Sequence, residues 1–183
     1  MAKLHDEVTA ELREWIGKQQ MFFVATAPLA GDGHVNCSPK GTDSFRILGP
    51  NQAGYLDYTG SGAETIAHIR ENGRILFMFC AFEGGPKILR LHGKARFITP
   101  DSAEWNEYRE HFPQSSGVRS IILADITRVC DSCGFAVPEY EFVQQRKILK
   151  DWSDKTGEAG VIEYQQKKNL VSIDGLPALD PKN

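Results

Sequence analysis

Three short stretches carry residue types able to do chemistry. In "NCSPKG", residues 36–41, Pro39 and Gly41 bracket Lys40 where a strand ends. Proline has no N–H to give a sheet ladder, so pairing is interrupted there and backbone groups become available to a ligand. Pro, Gly and Asp are also ordinary turn residues, and a strand-ending turn with a solvated lysine is the competing explanation. "TGSGAET", residues 59–65, offers a second possibility. Gly60 and Gly62 let a ligand approach the backbone, and free N–H groups at a helix start can hold an anion. Ser61 and Glu64 equally fit the S-x-x-E capping box, which needs no ligand and is the better reading of the stretch in isolation. The G-x-x-x-x-G-K pattern of a phosphate loop is missing. In "RLHG", residues 90–93, Arg90 and His92 share one face of a strand. They could orient a ring carbonyl or a phosphate, or simply form a solvated face.

Other chemistries find less support. Cys130 and Cys133 form a C-x-x-C, but a thioredoxin-like pair needs a βαβ context. A structural zinc site needs a second pair, and Cys37 and Cys80 are not spaced as one, so no metal is expected. No G-x-S-x-G marks a serine nucleophile. A bound cofactor is therefore a more economical source of chemistry than side chains alone.

The elements that must position these residues follow from apolar spacing. Val8, Leu12, Trp15 and Ile16 predict an amphipathic helix over 6–20. Strands are read at "MFFVATA", "HVNCS", "SFRIL", "AGYLDYT", "RILFMFCAF", "KILRLHGKARFI" and "VRSIILADITRV". A short helix with Ile66 and Ile69 follows the fourth strand, and "PDSAEWNEYREHF" reads as another. Beyond residue 130 the chain turns polar: 138–155 and 158–169 have helical period, divided around Gly157. Strands joined by short turns, with helices that do not alternate with them, predict an α+β fold built on a small antiparallel β-barrel of about six strands. The expected division is a barrel over 1–130 and a helical C-terminal extension over 131–183, packing on the barrel or on a dimer.

A chain of 183 residues suits one such core. Its net charge of −3 gives no footprint for nucleic acid or an acidic membrane, so neither partner is expected. The charged start "MAKLHDEVTAELREW" lacks the apolar centre of a signal peptide, and no stretch approaches a membrane span. With four scattered cysteines, the expectation is a cytoplasmic protein with reduced thiols.

Taken together, "VNCSPKGTDSFRIL", "AGYLDYTGSGAETIAHIRENGRILFMFCAF" and "KILRLHGKARFI" resemble the pyridoxamine 5′-phosphate oxidase-like, FMN-binding split barrels. The order and spacing carry the resemblance: S-P-K-G, a Y-x-x-x-G turn, E-N-G-R before a buried strand, then L-R-x-x-G. It covers about residues 20–100, while "SCGFAVP" and "SIDGLPAL" resemble a subgroup of that family. The resemblance implies a homodimer with FMN at the subunit interface and an FMN-dependent oxidoreductase acting on a small molecule. It places Asn36, Cys37, Ser38, Pro39, Lys40 and Gly41 along the flavin ring or ribityl chain. It places Tyr58, Thr59, Gly60, Ser61 and Thr65 around the phosphate, with Arg90 and His92 from a later strand of the same or the other subunit. His92 is the candidate acid or base.

The chain departs from the vitamin-pathway oxidases in two ways. Glu64 and Thr65 stand where those enzymes carry an Arg-Lys pair, and their C-terminal tryptophan and arginine motif is not recognisable. Pyridoxamine phosphate is thus a poor candidate substrate, and the phosphate charge must be met by Lys40, Arg46, Arg70 or Arg74. The alternatives are a non-catalytic flavin carrier or sensor, a split barrel for haem or a deazaflavin, and a scaffold whose site has degenerated. Haem is disfavoured because no histidine follows His111, although His34, His68 and His92 remain.

Overall fold

The apolar run "RILFMFC" is a central strand, and the rest of the sheet is arranged around it. In a computed structural model, which describes residues 3–182, twelve elements follow in order. They are β1 (Lys3–His5), α1 (Ala10–Gly17), β2 (Phe22–Thr26), β3 (Asn36–Lys40), β4 (Phe45–Gly49) and β5 (Gln52–Tyr58). After these come α2 (Glu64–Asn72), β6 (Arg74–Cys80), β7 (Ile88–Ile98), α3 (Trp105–Arg109), β8 (Val118–Ser132) and α4 (Ile148–Lys168).

The sheet runs β3-β2-β6-β7-β8-β5-β4, with β1 also on β8, and every pairing is antiparallel. All seven segments read as strands are present. The eighth, β1, carries a pattern too short to register in the sequence. The sheet curls around an aromatic centre, where Phe22, Phe45, Tyr55, Phe77 and Phe79 meet at tilted or edge-to-face angles or, for Phe22 and Phe79, stacked. Such geometry adds to the area term of each ring. From α1, Leu12 and Ile16 pack on this core, and from α2, Ile66, Ala67 and Ile69 do. Thr9 caps α1 by accepting the Leu12 N–H, and Gly73, at φ 70°, ends α2 in the left-handed cap that favours glycine.

Two local expectations are corrected, and the expected division at Gly157 is found. The stretch 138–147 is neither helix nor strand, and α4 begins at Ile148. Tyr140 and Phe142 alternate with glutamates, a two-residue period, and the Tyr140 N–H is taken by Phe82 O at 2.8 Å. The helix then breaks at Gly157 (φ 72°, ψ 166°), a conformation open essentially to glycine alone. Finally, Ser61 does not cap α2. The N-cap is Ala63, which makes no side-chain bond, and the Glu64 carboxylate accepts the Ile173 N–H at 3.1 Å.

Candidate functional site

The inner end of β5 carries an aspartate in an otherwise apolar strand. Asp57 is 0% exposed, and a lone carboxylate there would be untenable without cations. Two are supplied. The pairing of β5 with β8 places Asp57 opposite Ser120 and Tyr58 opposite Val118, leaving Arg119 as the extra residue of a bulge. Bulges re-aim a side chain, and this one turns Arg119 onto Asp57. Arg119 Nε donates to Asp57 Oδ2 at 2.6 Å, its Nη1 donates to Gly62 O at 2.7 Å, and Ser120 Oγ donates to Asp57 at 3.1 Å. Lys40 Nζ lies 3.8 Å from Asp57 Oδ1 and 5.9 Å from the centre of the Tyr55 ring. Burial alone would raise the Asp57 pKa, but the charges of Arg119 and Lys40 outweigh it and hold the carboxyl below its usual range. One carboxylate between two cations leaves positive charge over. It resides on Lys40, whose side chain is 25% exposed whereas that of Arg119 is 4%.

Next to this cluster, β3 is an edge strand, which accounts for Pro39 being tolerated inside it. Alternation divides its residues between two faces. Asn36, Ser38 and Lys40 are half-buried on the inner face, while Cys37 and Pro39 are exposed on the outer. On the inner face Ser38 Oγ donates to Asn36 Oδ1 (3.0 Å), and Asn36 Nδ2 donates to Thr26 Oγ1 (3.2 Å) and Thr65 Oγ1 (3.0 Å). Thr26 Oγ1 in turn meets Nδ1 of the fully buried His68 at 2.9 Å. The outer face follows the register Pro39–Phe23–Met78–Arg90–Cys130 and Cys37–Ala25–Leu76–His92–Arg128. Arg90 and His92 therefore share a face with Cys37 and Pro39, and the sheet separates them from Lys40. Arg90 donates to Ser132 Oγ at 2.9 Å. Burial, then the charges of Arg128 and Arg90, lowers the His92 pKa and favours its neutral form.

The turn after β5 is held by the C-terminal part of the chain. Gln165 Nε2 donates to Thr59 Oγ1 (2.8 Å) and Asn169 Nδ2 to Gly60 O (3.0 Å). Thr59 and Thr65 are buried, Gly60 and Gly62 half-buried, and Ser61 is exposed. Tyr58 points the other way, with its hydroxyl on Ser115 Oγ at 2.9 Å and its ring against the second, smaller core. The segment after α4 doubles back over α2, where Asp174 accepts from the His34 backbone N–H (2.8 Å) and meets His34 Nδ1 at 2.6 Å. Of the four bases proposed for charge compensation, Lys40 alone adjoins the cluster. Arg46 binds Asp43, Arg70 binds Asp180, and Arg74 binds the carbonyls of Ala27 and Pro28. Arg119 was missing from that set. Its sequence signal was Asp57 itself, an acid amid apolar strand residues that had to find a cation. Gly41 begins a turn in which Thr42 and Asp43 are both left-handed, at φ 65° and 48°.

The sequence profile of the family described as pyridoxamine 5′-phosphate oxidase matches residues 8–133, which include every strand but β1. The chain belongs to this family. A curated member, the pyridoxamine 5′-phosphate oxidase family protein ustO of Aspergillus flavus, is 38% identical over 201 residues, covering 98% of this chain and 78% of that protein. Two solved structures share the family fold. HupZ of Group A Streptococcus is 21% identical with a TM-score of 0.55, covering 68% of this chain and 99% of its own. An FAD-binding protein of Mesorhizobium loti is 15% identical with a TM-score of 0.50, covering 72% of this chain and 96% of its own. No described helix is long and apolar enough to cross a membrane.

Proposed function

We propose that this protein is a flavin-dependent oxidoreductase that binds FMN as a homodimer. The observation that carries this reading is the positive charge left on Lys40 beside the Asp57–Arg119 pair, on an edge strand open to a ligand. A half-buried lysine backed by a buried ion pair suits a phosphate, since the pair fixes the lysine without neutralising it. Ser38 and Asn36 add a row of hydroxyl and amide groups suited to a ribityl chain or ring edge. Family membership and the FAD-binding relative support a flavin as the ligand.

Bound flavin would supply hydride or electron transfer, and the residues named here would bind and orient it. Lys40 holds the phosphate and Asp57 holds Lys40. Arg119 ties the Asp57 carboxylate to the Gly62 carbonyl and so keeps the turn in register with β5.

A second copy of the chain is supported by the outer sheet face. Phe23, Met78, Ala25 and Leu76 lie only half-buried there, beside Arg90 and His92, and Phe135 and Val35 are 82% and 74% exposed. Pairing through this face would bring the partner's site to the residues that one sheet separates from Lys40.

The test is a titration of the full chain with FMN, followed by flavin fluorescence. Wild type should bind, and Lys40→Ala should weaken binding about tenfold or more, the scale of one lost charge-assisted contact, with unchanged circular dichroism. Equal affinity in the variant would remove Lys40 from the site. Anaerobic reduction by NADH or NADPH then separates an enzyme from a flavin carrier.

A further inference from the structure

A cavity of about 1230 Å³ opens beside Lys40, and no residue of the turn after β5 lines it. Pro39, Lys40 and the Gly41–Thr42 turn form one end of it. Trp15, Met21, Phe82, Phe142, Leu149 and Trp152 give it a wall of rings and aliphatic chains. It is large enough for a drug-sized ligand, and its few polar groups lie among mostly apolar ones, as in small-molecule sites.

The irregular segment 140–146 lines this cavity and is pinned on both sides. At one side Tyr140 N–H donates to Phe82 O (2.8 Å) and the two rings stack at 5.4 Å. At the other, the Gln145 carboxamide donates from Nε2 to Gln20 O (2.9 Å) and accepts the Thr42 N–H at Oε1 (3.2 Å). The second pin secures a turn whose two left-handed, non-glycine residues are costly in backbone energy. Apolar side chains held apart in this way forgo the dispersion contacts of a collapsed core, contacts that an apolar guest restores.

Charge narrows the guest. Lys18 is taken by Glu14 at 2.6 Å, which leaves Lys40 and Arg146 against Glu83 and Glu141 around the cavity. With Lys40 already assigned to the flavin phosphate, Arg146 faces both carboxylates, and the lining disfavours an anion. We propose that this cavity is the substrate chamber of the flavin site and takes an aromatic molecule that carries no negative charge. The inference rests on the reading of Lys40 as a flavin ligand, because Lys40 is the residue the two sites share.

The test uses the full chain loaded with FMN and the uncharged fluorescent probe N-phenyl-1-naphthylamine. Gly85 lines the cavity, has no left-handed φ, and a Cβ there would meet nothing within 4 Å, so Gly85→Trp fills space without strain. Wild type should show saturable probe fluorescence and a shift of the flavin absorption band. Gly85→Trp and Phe142→Ala should each weaken the probe about tenfold, the scale of one aromatic contact, while FMN affinity stays unchanged. Probe affinity equal in all three proteins would overturn the chamber. So would loss of probe binding in Gly85→Trp together with dissociation of a dimer on gel filtration, which would make the cavity a seat for a second copy. Cavity-dependent probe binding in a chain that never takes FMN would leave an aromatic site and overturn its link to a flavin.

Discussion

Arg119 reaches Asp57 because β8 bulges at that residue: the Nε–Oδ2 distance is 2.6 Å, and the two side chains are 4% and 0% exposed. Each is the other's main compensation in the core, and the flexible Lys40 is a weaker second partner for Asp57 at 3.8 Å. The arrangement makes several measurable outcomes follow.

Arg119→Met should cost about 3–5 kcal/mol of unfolding free energy, because it strands a buried carboxylate. The double variant Asp57→Leu/Arg119→Met should cost clearly less than the sum of the two single changes. Urea denaturation of the four proteins gives the coupling. Additive costs would mean the pair is not a unit.

Acid should act on the same pair. The folded pKa of Asp57 is lowered, so its contribution is present above the unfolded value of about 3.9 and fades as pH falls through the folded value. Wild type should therefore lose stability below about pH 4, and Asp57→Asn, already destabilised, should show a shallower loss there. Thermal melts across that range check the slope.

His68 works in a different window. Burial lowers its folded pKa, so the unfolded chain takes up the proton first as pH falls past about 6.5. Stability attributable to neutral His68 is complete above that pH and is lost on acidification. The deficit of His68→Gln relative to wild type should then shrink between pH 7 and pH 5. A constant deficit would show that His68 takes up its proton alike in the folded and unfolded states.

His34 titrates in the opposite sense. Its bond to Asp174, and then the charge of that carboxylate, raise its folded pKa, so this contact is strongest below about pH 6.5 and fades as pH rises through the folded value. In histidine proton spectra His34 should titrate above the ordinary value, and Asp174→Asn should return it there. The same variant should make residues 170–179 more susceptible to limited proteolysis.

Gly157→Ala should destabilise the chain by about 1–3 kcal/mol, since alanine cannot hold φ 72°, ψ 166° without strain. The break aims the second half of α4, which carries Gln165 and Asn169, at the turn after β5. Exchange of amide hydrogens in 59–63 should accelerate in the variant. Unchanged protection would detach the turn from the helix.

The strands were legible because apolar alternation and turn residues are local signals, and Gly157 likewise announced the division of the C-terminal helix. Residues 138–147 were misread because their polarity masked the two-residue spacing of Tyr140 and Phe142. Ser61 and Glu64 matched a capping box whose carboxylate is instead held by Ile173, a partner 109 positions away. Arg119 escaped notice for a related reason. A bulge is a relation between two strands, and neither strand shows it alone.

That the turn at 59–62 is closed by Gln165 and Asn169 also bears on the order of assembly. These contacts must wait for the last helix to be made. During synthesis, residues 3–132 can pair every strand before residue 165 leaves the ribosome, so for an interval the barrel exists with this turn unlatched. A small ligand arriving in that interval would meet an open doorway, and the last helix would shut it behind.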